Sequence, residues 1–194
     1  FYVPSFHDSV VIELWGEREL AVFHAEHTWP YPSPQLHEER AAVSADALQR
    51  WHAARGAPWL DDETQRLGLD GMSLLGSHRS ATGCHRFTAW SPEAGTPWHR
   101  WFSALRRLAI ETLPAGPARG AVLTLGSYLH RDFEDLGGSP RWLRLWSLSE
   151  ATLTRLEAHL SQHPADTPWL IDLREVAFQR TELPGLLALT APLT

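Results

Sequence analysis

Lysine is missing from this chain of 194 residues, and all 17 basic side chains are arginine. The charge balance is acidic, −6 with the histidines neutral. A phosphate-tracking surface needs clustered positive charge, so nucleic-acid binding is disfavoured and a basic or neutral partner fits better. Arginine-only usage follows simply from a GC-rich genome, but it also leaves planar donors suited to carboxylates and aromatic faces. The one cysteine, Cys84, excludes an intrachain disulfide and permits a reducing compartment, so a cytoplasmic location is expected. No window approaches the roughly 20 consecutive apolar residues of a membrane helix. The opening Phe1-Tyr2-Val3-Pro4-Ser5 lacks the basic and apolar segments of a secretory leader. It starts on Phe rather than Met, which leaves open a leader removed before it. No Gly-x-Ser-x-Gly elbow, phosphate loop or His-Glu-x-x-His helix occurs. His130-Arg131-Asp132 echoes a kinase catalytic loop, but the glycine-rich loop, lysine and Asp-Phe-Gly that would give it meaning are missing.

What is present suits a folded protein. Apolar residues make up 43% of the chain, enough to offset chain entropy without staples. Ten tryptophans supply large buried areas and candidate interface anchors. The length fits one α+β domain over 1–194, with an internal seam at the Pro/Gly-rich stretch 113–120.

Local pattern predicts the elements. The β-branched run Ser9 to Trp15 and the run Leu20 to Glu26 form a hairpin around Gly16-Glu17. Three prolines place 27–34 in a loop. Ser44 caps a helix from Ala45 to about Arg55, with Leu48 and Trp51 facing inward. Met72 to Arg79 and Cys84 to Trp90 make a second hairpin. Thr96 caps, and Pro97 opens, a helix whose Trp98, Trp101, Phe102, Leu105 and Leu108 form one apolar stripe. Ala121 to Ser127 and Trp142 to Ser147 read as strands, and Ser149 caps a helix running to about Gln162. Trp169 to Leu173 is a short buried strand, and the tail from Leu183 is an irregular cap. Antiparallel sheet built of hairpins, with two main amphipathic helices on one side, is the expected α+β architecture.

Histidine offers the only route to chemistry. His24 and His27 point to opposite faces of a strand unless it bends, and the plain alternative is two exposed histidines at a strand end. His78 and His85 sit opposite one another in the second hairpin, where Cβ atoms are about 5 Å apart. They form either part of a soft-metal site or a surface pair that resists double protonation. Cys84 points away from His85, and a buried structural cysteine is the plain alternative to a nucleophile. A metal-dependent hydrolase built on such histidines is therefore the alternative function, with no cofactor expected on the main reading.

Partner-binding candidates lie where the periodic faces end. Trp29 and Trp59 sit in proline-broken loops beside charged groups, the usual form of a hot spot. The acidic stretches Asp61, Asp62, Glu63 and Asp132, Glu134, Asp135 are either docking surfaces for a basic partner or plain solvated loops. The segment Asp70-Gly71-Met72-Ser73 through Leu108 adds a further indication. An Asp-Gly opens a hairpin, the second strand ends in Trp90-Ser91-Pro92, and a helix with Trp98, Trp101 and Phe102 follows. This resembles small immunity-type proteins encoded beside bacterial toxins, although an aromatic commonly follows the Asp-Gly in them. The resemblance covers about a fifth of the chain and concerns structural positions. It implies a non-enzymatic inhibitor of a bacterial toxin or effector and transfers no catalytic residue.

Overall fold

Among the described residues of the first 129, six strands and four helices follow one another. They are β1 (Tyr2–Pro4), β2 (Val10–Trp15), β3 (Glu19–Glu26), β4 (Gln35–Ala42), α1 (Ala45–Ala54), β5 (Met72–Ser80), β6 (Gly83–Trp90), α2 (Pro97–Thr112), α3 (Pro117–Thr124) and α4 (Gly126–Leu129). The computed structural model describes residues 1–4, 8–26, 35–55, 71–81, 83–129, 132–164, 166–173 and 176. The chain divides into two compact units, Phe1–Leu129 and His130–Thr194, and the stretch 113–120 lies within the first.

The sheet of the first unit runs in the order β4-β3-β2-β1-β5-β6, every neighbour antiparallel. Its period-2 alternation puts Tyr2, Val10, Ile12, Val22, Leu74 and Phe87 on one buried face. Helix α2 packs on β2 and β3 with the expected stripe, and Trp98, Trp101 and Phe102 are all buried. Phe87 is the centre of this packing, with ring centroids 5.4, 5.0 and 5.8 Å from Trp98, Trp101 and Phe102. Gly76 lies across from it on β5, and any side chain there would run into the Phe87 ring.

Several local readings needed correction. Ala121 to Ser127 is helical, because Pro117 opens a helix whose Ala118 and Val122 are buried one turn apart. A strand not anticipated, β4, pairs with β3 along its whole length despite its Glu-Glu-Arg centre. Charge suits it, since it is an edge strand and charged edges resist further pairing. Cys84 is exposed on the other edge strand, across from Arg79, so it is not a core thiol. In α1 the buried residues are Ala47 and Trp51, with Leu48 only partly covered.

The second unit holds β7 (Phe133–Gly137), β8 (Arg141–Leu145), α5 (Glu150–Leu160) and β9 (Trp169–Asp172), with sheet order β7-β8-β9. β7 and β8 form a hairpin, and β9 lies parallel to β8. A parallel neighbour needs a crossover, and α5 supplies it. Leu143, Leu145, Leu148, Leu156 and Val176 form its core. The whole is an α+β fold in which the two main helices, α2 and α5, belong to separate units.

One buried cation ties helices of the first unit together. The Arg106 side chain is wholly buried in α2, and it donates to the carbonyls of Val122 and Leu123 at 2.9 Å each. These are last-turn carbonyls of α3 and carry its negative dipole end; that of Leu123 also accepts from the Leu125 amide at the C-cap. Arg106→Met should therefore cost about 2 kcal/mol, since it fills the space but strands the Val122 carbonyl. Denaturant melting measures this, and a variant as stable as the parent would refute the assignment.

Candidate functional site

β1 is three residues long, and among the described residues it pairs with β2 at Tyr2↔Val10 and with β5 over Met72–Leu74. Phe1 donates its amino group to the Leu75 carbonyl at 2.8 Å and accepts from the Leu75 amide at 3.0 Å. β2 runs on to Trp15 and β5 to Ser80.

A slot-shaped cavity of about 660 Å³ lies between β2 and β5. Ile12 and Leu14 form one wall, Gly76 and His78 the other, with Trp51 of α1 and Trp101 of α2 also lining it. Strand parity identifies the backbone groups that face it. Leu75 exchanges hydrogen bonds with Phe1, so Ser77 and Arg79, two and four residues on, aim their N–H and C=O into the slot. The Ala25 amide donates to the Ser9 carbonyl, so on β2 the residues of opposite parity, Ile12 and Leu14, face it. The indole N–H groups of Trp51 and Trp101 are buried and meet no acceptor among the described residues. A buried donor left unmade costs about 1–3 kcal/mol, so an acceptor brought into the slot is favoured. Phe1, Trp15 and Leu75 are exposed around it.

A second constellation lies in the other unit. Asp135 of β7, His159 in the last turn of α5 and His163 just beyond it bring one ligand atom each within 4.8 Å of the others. His159 Nε2 is 3.0 Å and His163 Nε2 3.9 Å from Asp135 Oδ2. The same Oδ2 accepts from Arg141 Nη2 at 2.6 Å, and Oδ1 accepts from the Gly137 amide at 2.7 Å. Trp169 lies against both imidazoles, with centroids 5.9 and 5.2 Å away. Burial alone would raise the Asp135 pKa, but hydrogen bonds from Arg141, Gly137 and His159 outweigh it and hold the carboxyl below its usual value.

The acidic stretch expected to dock a partner is engaged within the second unit. Asp132 Oδ1 accepts from Thr152 Oγ1 at 3.0 Å and pairs with Arg155 at 2.7 Å, fixing the first turns of α5. Glu134 is buried and in register with Arg144, which faces Asp172 on β9 at 3.6 Å. Trp29, Trp59, Asp61, Asp62, Glu63 and His27 lie outside the described residues.

Four other described histidines form cross-strand pairs. His78 and His85 are in register as expected, and His78 is held below its usual pKa by burial first, then by Arg55 and His85. His24 is in register with His37, rings stacked at 5.1 Å. Among the described residues none of these four joins a group of three ligands. Sequence reasoning passed over His159 and His163, although a His-x-x-x-His spacing at the end of an expected helix is a readable signal. No family model matches the chain, and neither the search of curated proteins nor that of solved structures found a match.

Because the folded-state pKa of Asp135 is depressed, its stabilising contribution is complete above the usual carboxylate pKa of about 3.9 and is lost as pH falls through the depressed value. Asp135→Asn should be less stable at pH 7 and should show a shallower loss of stability between pH 5 and about 2. Parallel acid titrations followed by circular dichroism decide this; identical profiles would show that the ion pair with Arg141 contributes nothing.

Proposed function

We propose that this protein works by binding another polypeptide, as an immunity-like inhibitor of a bacterial toxin or effector, and that an extended segment of the partner enters the slot between β2 and β5. The observation that carries the reading is the cavity between β2 and β5, floored by Trp51 and Trp101, whose buried indole N–H groups meet no acceptor among the described residues. The outer strands carry charged and polar side chains instead: Glu38, Glu39 and Arg40 on β4, and exposed Cys84, His85 and Arg86 on β6.

Strand addition supplies what such a site lacks. Backbone groups of an incoming strand pair with those of Ser77 and Arg79 on one side and of Ile12 and Leu14 on the other. Alternate side chains point to the floor, where acceptors reach the indoles of Trp51 and Trp101, and to the exposed apolar rim. The resemblance to immunity-type proteins bears on the same place, since its described part from Met72 to Leu108 contributes the β5 wall and the α2 floor. The net charge of −6 favours a basic partner and a fast encounter.

The test is the product of each neighbouring gene, assayed for binding and for inhibition of its activity, with the parent chain and with Ser77→Pro. Proline removes the amide aimed into the slot while leaving the β5–β6 ladder intact. The expected result is a tight complex that Ser77→Pro weakens on the order of 100-fold without unfolding, equivalent to about 2.7 kcal/mol. Undiminished binding by the folded variant would overturn the slot as the docking surface. So would a longer form of the chain whose residues before Phe1 fill the slot themselves.

A further inference from the structure

We propose that Asp135, His159 and His163 form a binding site for one divalent late-transition-metal ion of the zinc class. The site is independent of the slot, lying wholly in the second unit. Three features of the geometry point to it.

The first is convergence. Tetrahedral zinc with bonds of about 2.0–2.1 Å holds its ligand atoms about 3.3 Å apart. The two Nε2–Oδ2 separations, 3.0 and 3.9 Å, already bracket that value. All three atoms lie within 4.8 Å, so rotation about side-chain torsions of about an ångström closes the set. The second is support. Gly137 holds Asp135 Oδ1 and leaves Oδ2 as the ligand, while Phe133 and Trp169 pack on the His159 ring. Outer contacts of this kind orient metal ligands. The third is access. The histidine side chains keep 24% and 23% exposure, which leaves the fourth coordination position to water.

Arg141 is the competitor that sets the affinity. Its guanidinium occupies the Oδ2 that the ion needs. It is only partly buried and lies over the Trp169 ring at 5.5 Å, so it has a resting place when it yields the carboxylate. Two imidazoles and one carboxylate suit zinc, cobalt, nickel and copper; magnesium and calcium prefer all-oxygen shells of six or more.

The experiment is calorimetric titration of the full chain, without a polyhistidine tag and after chelator treatment, with zinc chloride and separately with magnesium chloride. One zinc per chain and no magnesium uptake are expected. His163→Gln, in the turn after α5, should weaken zinc binding on the order of 100-fold. Arg141→Met should tighten it, and the paired change His78→Gln with His85→Gln should leave it unchanged. Should His159→Gln fail to fold, because its ring packs on Phe133 and Trp169, His163→Gln and Asp135→Asn still decide. Absence of saturable uptake, or uptake unchanged in His163→Gln, overturns the site and reduces the cluster to an ion-paired hydrogen-bond network.

Discussion

Tyr2 holds the first unit together. It sits at the start of β1, the strand that joins the β4-β3-β2 half of the sheet to the β5-β6 half. Its ring meets Phe102 edge-on at 5.5 Å, and its hydroxyl, fully buried, donates to the Phe102 carbonyl at 2.8 Å. Burial drives its phenol pKa strongly upward, so it is a hydrogen-bond donor at every accessible pH. β1 joins the two halves of the sheet at Tyr2, and the cavity between β2 and β5 lies beside this junction, with α2 closing the sheet from below and Trp101 and Phe102 serving as both core and floor.

The sequence announced some of this and concealed the rest, for physical reasons. The α2 stripe was legible because proline at its first position, a threonine cap and 3.6-residue periodicity all agree. The hairpin register pairing His78 with His85 followed from turn length. β4 was hidden because Gln-Leu-His-Glu-Glu-Arg-Ala-Ala has helical composition, and edge position overrides propensity. α3 was hidden for a related reason. Its Ala-Val-Leu-Thr segment is ambiguous alone, and its stability depends on Arg106, sixteen residues away from Val122. β1 was too short to carry a pattern, so the slot could not be foreseen.

The acidic stretch at 132–135 illustrates the limits of reading charge as exposure. Its three carboxylates face three different tasks within one small sheet: anchoring α5, laddering with Arg144, and binding Arg141 beside two histidines. Alternation along β7 sends neighbouring carboxylates to opposite faces, which charge counting ignores. The histidines that meet Asp135 come from the far end of α5, so their relation depends on the parallel βαβ crossover rather than on any hairpin.

The central claim is that a partner's extended segment enters the cavity between β2 and β5. Amide hydrogen exchange, resolved by residue and compared with and without the partner, tests it directly. On binding, the amides of Ile12, Leu14, Ser77 and Arg79 should gain protection, while those of Val11, Glu13, Gly76 and His78, which face β3 and β6, should change little. Protection gained elsewhere, with the first group unchanged, would contradict the account.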